Sequence, residues 1–208
     1  METQRLLKQI IDRSIVFSKV DKIDEAQVVV LMDPDHNKDF SRFFGSVVSY
    51  YKIENESVVL VEGASDKTPT AQNCARIDAV GRKGIPVFAW GDPKAEGLIR
   101  EFSIGSDQIL QNDLLNQAQK NHLINESKKR VYHQVFPLDQ KSLISTLPTF
   151  LDRKRVFVYM GADHVQLDTT LFKDLVGEFL KLLSTLKYVC LDPSRLVDSD
   201  LALLNNKV

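Results

Sequence analysis

The sequence is short of the features that mark several large classes of protein. Cysteine occurs twice, as Cys74 and Cys190, with no CxxC or Cys/His ligand spacing. That pattern favours two reduced, buried thiols over a disulfide framework or a cysteine zinc site. No apolar run approaches the ~20 residues that span a bilayer. The N-terminus lacks the basic and apolar regions of a signal peptide. We therefore expect a cytoplasmic protein, or one that is exported without a cleavable signal.

A charge excess and glycine-rich loops are also missing. Lys and Arg number 27 against 28 Asp and Glu, so the formal net charge is -1. This balance gives no reason to expect nucleic acid or an anionic membrane as partner. There is no Rossmann or Walker phosphate loop and no GxSxG nucleophile elbow. With 208 residues, 43% of them hydrophobic, the chain is typical of a globular domain with a sizeable core.

Short apolar, β-branched runs alternate with amphipathic helices along the chain. Such runs are typical of strands that are buried on both faces of a parallel sheet. The sequence predicts an α/β fold: a mostly parallel sheet of about five strands flanked by helices, with a helical insertion. The predicted strands are 27–32, 57–63, 85–90, 155–161 and 187–192, and the predicted helices are 4–18, 38–51, 70–83, 94–103, 106–134, 139–151 and 168–186. We expect a single domain over 1–192, an insertion or lid at 106–151, and a tail without clear structure at 193–208.

Polar side chains gather where the predicted strands end. In open parallel sheets, sites form beyond the carboxyl ends of the strands, so these residues are the candidates for chemistry. Asp35, Asp66 and Asp163 are equally suited to capping a strand or the next helix, and Asp168 is expected to be a helix N-cap. The candidates are Asp33, Asp35 and His36 after the first strand, Glu62 and Asp66 after the second, Asp92 after the third, and Asp163 and His164 after the fourth.

Glu62 is the most informative of these residues because it follows four consecutive apolar residues, 58–61. A buried carboxylate is costly unless it is paired or bound to a metal. One interpretation is a structural ion pair with Lys67, Arg76 or another basic residue. The other joins Glu62 with His36 and His164 in a two-histidine, one-carboxylate metal site or an acid/base pair.

Five segments, taken in order, resemble the motifs of one superfamily. RVFVYMGADHVQLDTTLFKDL (155–175) resembles the final strand-GxxH-helix motif of the TraB/PrgY and Tiki proteins, which belong with the ChaN and erythromycin-esterase-like proteins. The other segments are QVVVLMDPDH (27–36), SVVLVEG (57–63), GIPVFAWGDP (84–93) and NQAQKNHLINE (116–126), which lie where that superfamily has its first GxxH, its glutamate, a later strand and a helical Arg-Asn or Arg-Asp pair.

The resemblance implies a hydrolase site. His36, Glu62 and His164 match the functional His, Glu and His, which would bind a divalent metal ion or act on water. Asp92 matches less closely and would orient one of them. The first motif has lost its glycine, and the helical motif has Lys120 and His122 but no arginine. These departures keep open a catalytically inactive domain of the same fold that binds a ligand or a protein partner.

A minor alternative is a Toprim-like nucleic-acid enzyme. VVLVEGASD (58–66) is similar to the first acidic motif of Toprim domains, and GDPKAEG (91–97) is faintly similar to the second. Toprim chemistry needs two aspartates at alternate positions to hold magnesium. Here the second position is Lys94, and this interpretation leaves the GADH motif unexplained.

Overall fold

The computed structural model describes residues 2–33, 38–64, 84–167 and 171–205. Within these ranges the strands form one six-stranded sheet in the order β1-β6-β2-β5-β3-β4. All neighbouring pairs are parallel except β1 and β6, which are antiparallel. The predicted α/β fold with a mostly parallel sheet is confirmed. The strands are β1 (Ile15–Ser18), β2 (Val28–Asp33), β3 (Ser57–Ala64), β4 (Val87–Gly91), β5 (Arg155–Gly161) and β6 (Tyr188–Leu191).

Helices cover both faces of the sheet. The described helices are α1 (Glu2–Asp12), α2 (Lys38–Tyr51), α3 (Pro93–Leu110), α4 (Gln117–Thr146), α5 (Lys173–Ser184) and α6 (Asp198–Asn205). Alternate side chains of each central strand point to opposite faces, which explains why β2 and β5 are apolar almost throughout. Phe43, Val47 and Leu204 of α2 and α6 pack on one face. Leu143 of α4 and Phe179 of α5 pack on the other.

The N-terminal helix is shorter than predicted. The segment 4–18 was expected to be one helix, but α1 ends at Asp12 and residues Ile15–Ser18 form edge strand β1. The hydroxyl of Ser14 donates to the carbonyl of Ile11 at 2.6 Å, which closes the helix end. Ile15, Phe17 and Ser18 then pair with the otherwise open edge of β6. Tertiary pairing here overrides the helical spacing of the apolar residues.

Three further segments differ from their predicted bounds. The predicted helices 94–103, 106–134 and 139–151 are two helices, α3 and α4, joined by 111–116 and followed by a 3-10 turn, Leu147–Phe150. Pro137 lies inside α4 and does not end it. The tail after residue 192 was expected to lack structure, but it contains α6, which buries Leu204. The predicted helix 168–186 runs over Lys173–Ser184, and the predicted helix 70–83 lies outside the described residues.

Cys190 is buried in β6 without a disulfide partner, and Cys74 lies outside the described residues. None of the described helices has the length and apolar character needed to cross a membrane.

Candidate functional site

A cavity of about 150 Å³ opens at the carboxyl ends of β2, β3 and β5. The chain leaves β3 towards β4 on one side and leaves β5 towards β6 on the other. Adjacent strands whose connections diverge leave a crevice between them, which is the usual binding position in an open α/β sheet. The cavity is lined by Asp33, Glu62, Tyr132, Val135, Phe136, Asp139, Gly161, Ala162, Asp163 and His164.

An irregularity in β3 places Glu62 in this cavity. The register between β3 and β4 shifts between Val61 and Ala64, and Gly63 has φ 150°, which L side chains rarely adopt. Gly91 of β4 lies against this bulge, and a Cβ there would be 1.9 Å from the carbonyl oxygen of Gly63. Bulges commonly re-aim side chains beside sites. Here Glu62 Oε2 accepts a hydrogen bond from the backbone N–H of Gly161 at 3.0 Å.

His164 is buried opposite Glu62 in the 3-10 turn that follows β5. Its Nε2 is 3.7 Å from Glu62 Oε1, and its Nδ1 is 2.5 Å from Gln140 Oε1. The ring of Phe136 stacks on the imidazole at 4.7 Å between centroids, with 9° between the planes. Trp90 meets the imidazole edge-on at 5.2 Å. The imidazole is therefore held by contacts on several sides.

Asp139 adds a second carboxyl group from α4. Its Oδ1 accepts the backbone N–H of Asp92 at 2.9 Å. Burial raises the pKa of Asp139 to about 6; the negative charges of Glu62 and Asp92 add to this rise, while the Asp92 hydrogen bond and His164 oppose it. A carboxyl group with such a pKa can hold a proton in mildly acidic solution and release it near neutrality.

Two tyrosines bind the remaining aspartates of the cavity. Tyr159 Oη donates to Asp33 Oδ2, and both residues are buried. Tyr132 Oη donates to Asp163 Oδ2 at 3.2 Å.

The structure brings together part of the predicted site. Glu62 and His164 face each other, and Asp33 and Asp163 line the same cavity. Asp92 follows β4 directly, and its carboxylate caps α3 by accepting the N–H of Lys94 at 2.7 Å. It contacts the site through its backbone N–H to Asp139. The other candidates, His36, Asp35, Asp66 and Asp168, lie outside the described residues, as do Lys67 and Arg76.

The sequence analysis missed the contribution of α4. Tyr132, Phe136, Asp139 and Gln140 follow the i, i+4, i+7, i+8 spacing of one helix face. A polar Asp-Gln pair within that face is the signal that could have identified them. Lys120 lies roughly 18 Å along the helix axis from Tyr132 and donates to the carbonyl of Leu110 at 2.7 Å. Neither Lys120 nor His122 lines the cavity.

The donor atoms suit a metal ion in part. Zinc binds nitrogen at about 2.0–2.1 Å and carboxylate oxygen at about 2.0–2.2 Å, so a single ion can contact both Nε2 and Oε1 across 3.7 Å. Among the described residues, no group of three or more His, Cys, Asp or Glu side chains has metal-binding geometry. The predicted third ligand, His36, is outside those residues.

Comparison with known proteins gave no match to the chain among family models, curated proteins or solved structures.

Proposed function

We propose that this chain is a hydrolase, a divergent member of the TraB/PrgY–Tiki–ChaN–erythromycin-esterase-like superfamily, with its active site in the cavity at the sheet edge. The observation that carries the proposal is the pairing of Glu62 with a buried, oriented His164 across 3.7 Å at the divergence of β3 and β5. The order of the five sequence motifs supports the family assignment.

In the proposed mechanism, a water molecule in the cavity is the nucleophile. A single base, either Glu62 or His164, takes one proton from this water as its oxygen attacks the substrate, and general base catalysis of this kind contributes about 10²–10⁴-fold. Asp139, with its pKa raised to about 6, is the candidate proton donor to the leaving group. Two carboxyl groups in different environments can divide the base and acid roles in this way.

A divalent metal ion is the cofactor that the family resemblance implies. Glu62 and His164 would hold it together with His36. When bound, such an ion lowers the pKa of water towards neutrality.

The test of the proposal is turnover on a panel of chromogenic esters, anilides and phosphoesters, with and without added Zn²⁺ or Mn²⁺. We expect hydrolysis of at least one substrate class, reduced about 10²–10⁴-fold by Glu62→Gln. Glu56→Gln is the matched control, since Glu56 pairs with Lys154 at the surface, at the opposite end of β3. An inactive wild-type protein, or a rate unchanged by Glu62→Gln, would reject the proposal.

The metal is tested separately by its content after mild purification and by Zn²⁺ titration. His164→Ala should lose most of the binding, whereas His133→Ala, which changes an exposed histidine of α4, should retain it. Equal occupancy in both variants would remove the metal from the mechanism.

A second candidate function, from another class, is a non-enzymatic interaction domain. The observation that favours it is the exposure of large apolar side chains on α3, α4 and the turn between them: Ile99, Ile104, Leu110, Leu114 and Leu123. Exposed apolar side chains that form a contiguous patch often mark a protein contact surface. Co-purification of a partner that is lost on Ile104→Glu, together with indifference to Glu62→Gln, would favour this function over hydrolysis.

A further inference from the structure

Gln140 makes two contacts with His164, and both partners are buried. Its Nε2 donates to the backbone carbonyl of His164 at 3.2 Å. Its Oε1 lies 2.5 Å from the Nδ1 of the same residue. The reverse orientation of the amide would bring two carbonyl oxygens together, so the first contact fixes which end of Gln140 faces the ring.

This orientation determines which nitrogen of the imidazole carries a proton. A carbonyl oxygen can only accept a hydrogen bond, so Nδ1 must carry a proton. In a neutral imidazole the other nitrogen, Nε2, then has a lone pair. That lone pair is directed at Glu62 and the cavity. Phe136 stacks on one face of the ring, and Trp90 meets the ring edge-on.

We propose that Gln140 is a positioning residue that locks neutral His164 in the Nδ1–H tautomer, so that Nε2 faces the cavity as an acceptor. Its significance for catalysis rests on the proposed function, because a base or a metal ligand at this position needs Nε2 unprotonated. The tautomer itself depends only on the contacts of Gln140 with His164.

The experiment is ¹⁵N NMR of the full chain labelled on histidine, at pH 8 with metal chelated. The signal of His164 is assigned by its loss in His164→Gln. We expect the proton on Nδ1 in the wild type. Gln140→Leu removes the acceptor and should shift the tautomer ratio about tenfold towards Nε2–H. Gln140→Glu, which keeps an acceptor, should preserve the wild-type tautomer.

A wild-type His164 with its proton on Nε2 would overturn the inference without any variant. An unchanged tautomer in folded Gln140→Leu would also overturn it, because a residue with a merely structural role would alter stability but not the proton position. The Nδ1–H tautomer in a wild-type protein that hydrolyses nothing would reject the proposed function and leave the role of Gln140 standing.

Discussion

The two halves of α4 lie in different environments, although one helix runs through both. From Gln117 to Val131 no side chain is buried. The second half buries Phe136, Asp139, Gln140 and Leu143, and these residues line the cavity, hold His164 or enter the core.

This difference in burial indicates that the second half of α4 contributes more to the stability of the fold than the first half. The second half combines a buried carboxyl group, a buried amide and an aromatic stack beside the cavity. The first half, with the facing part of α3, leaves apolar side chains exposed. We therefore expect substitutions in the second half to change the free energy of unfolding and its dependence on pH. Comparable substitutions in the first half should change neither by much.

The largest expected effect comes from Phe136→Ala. This ring stacks on both His164 and Phe172 and is 3% exposed. Its removal should lower the free energy of unfolding by about 3–5 kcal/mol, measured by urea denaturation. Leu114→Ala, at a position 92% exposed, should change it by less than about 0.5 kcal/mol. Similar losses in the two variants would contradict the comparison.

Asp139→Asn should stabilise the protein in a pH-dependent way. The folded pKa of Asp139, about 6, lies above its ordinary value of 3.8, so folding favours the protonated form. The stability that this form contributes is complete below the ordinary pKa and is lost as the pH rises through about 6. Asparagine can still accept the Asp92 N–H. At pH 8 the free energy of unfolding of the variant should therefore exceed that of the wild type by roughly 3 kcal/mol, and at pH 4 the two should differ little.

Thermal melts across this range measure the Asp139 effect. Asp107→Asn, at an exposed position on α3, is the control and should show no such trend. A difference between Asp139→Asn and wild type that does not grow with pH would show that the carboxyl group is not desolvated as described.

Gly91→Ala should disturb the sheet edge beside Glu62. The added Cβ would be 1.9 Å from the Gly63 carbonyl oxygen, so the β3 bulge must shift. We expect the free energy of unfolding, measured by chemical denaturation, to fall by about 1–3 kcal/mol, which is typical of overpacking. A variant as stable as the wild type would mean that the bulge does not require this close approach.

The smallest effect, with the opposite sign, is expected from Gly105→Ala on the exposed part of α3. A Cβ there meets nothing within 4 Å, and alanine favours a helix over glycine by about 0.8–1.0 kcal/mol. The melting temperature should rise by a few degrees. A fall would indicate that this face is covered by another part of the molecule or by a partner.

Local sequence pattern accounts for the central sheet. The valine-rich runs of β2, β3 and β5 are buried on both faces and end in polar residues, and the structure brings Glu62 and His164 together at that edge. Strand β1 was missed because its three apolar residues continue the spacing of α1, and only pairing with β6 identifies them as a strand.

The part of the site on α4 was missed for a similar reason. In its first half the apolar side chains of this helix face α3, and in its second half they face the cavity. No single spacing of apolar residues therefore runs through the whole helix. Whether Asp139 and Gln140 face the sheet edge or solvent depends on how α4 docks. That docking is a tertiary property which local spacing does not determine.

The central claim is that the Glu62 carboxylate is placed for chemistry and not for stability. The most direct test is the melting temperature of Glu62→Gln against wild type at neutral pH with metal chelated. Glutamine can still accept the Gly161 N–H, and it removes a negative charge that raises the pKa of Asp139. The account predicts an unchanged or raised melting temperature, the usual stability–activity trade-off. A clear fall in melting temperature would contradict it, because removing half of a buried ion pair lowers the free energy of unfolding by roughly 3–5 kcal/mol.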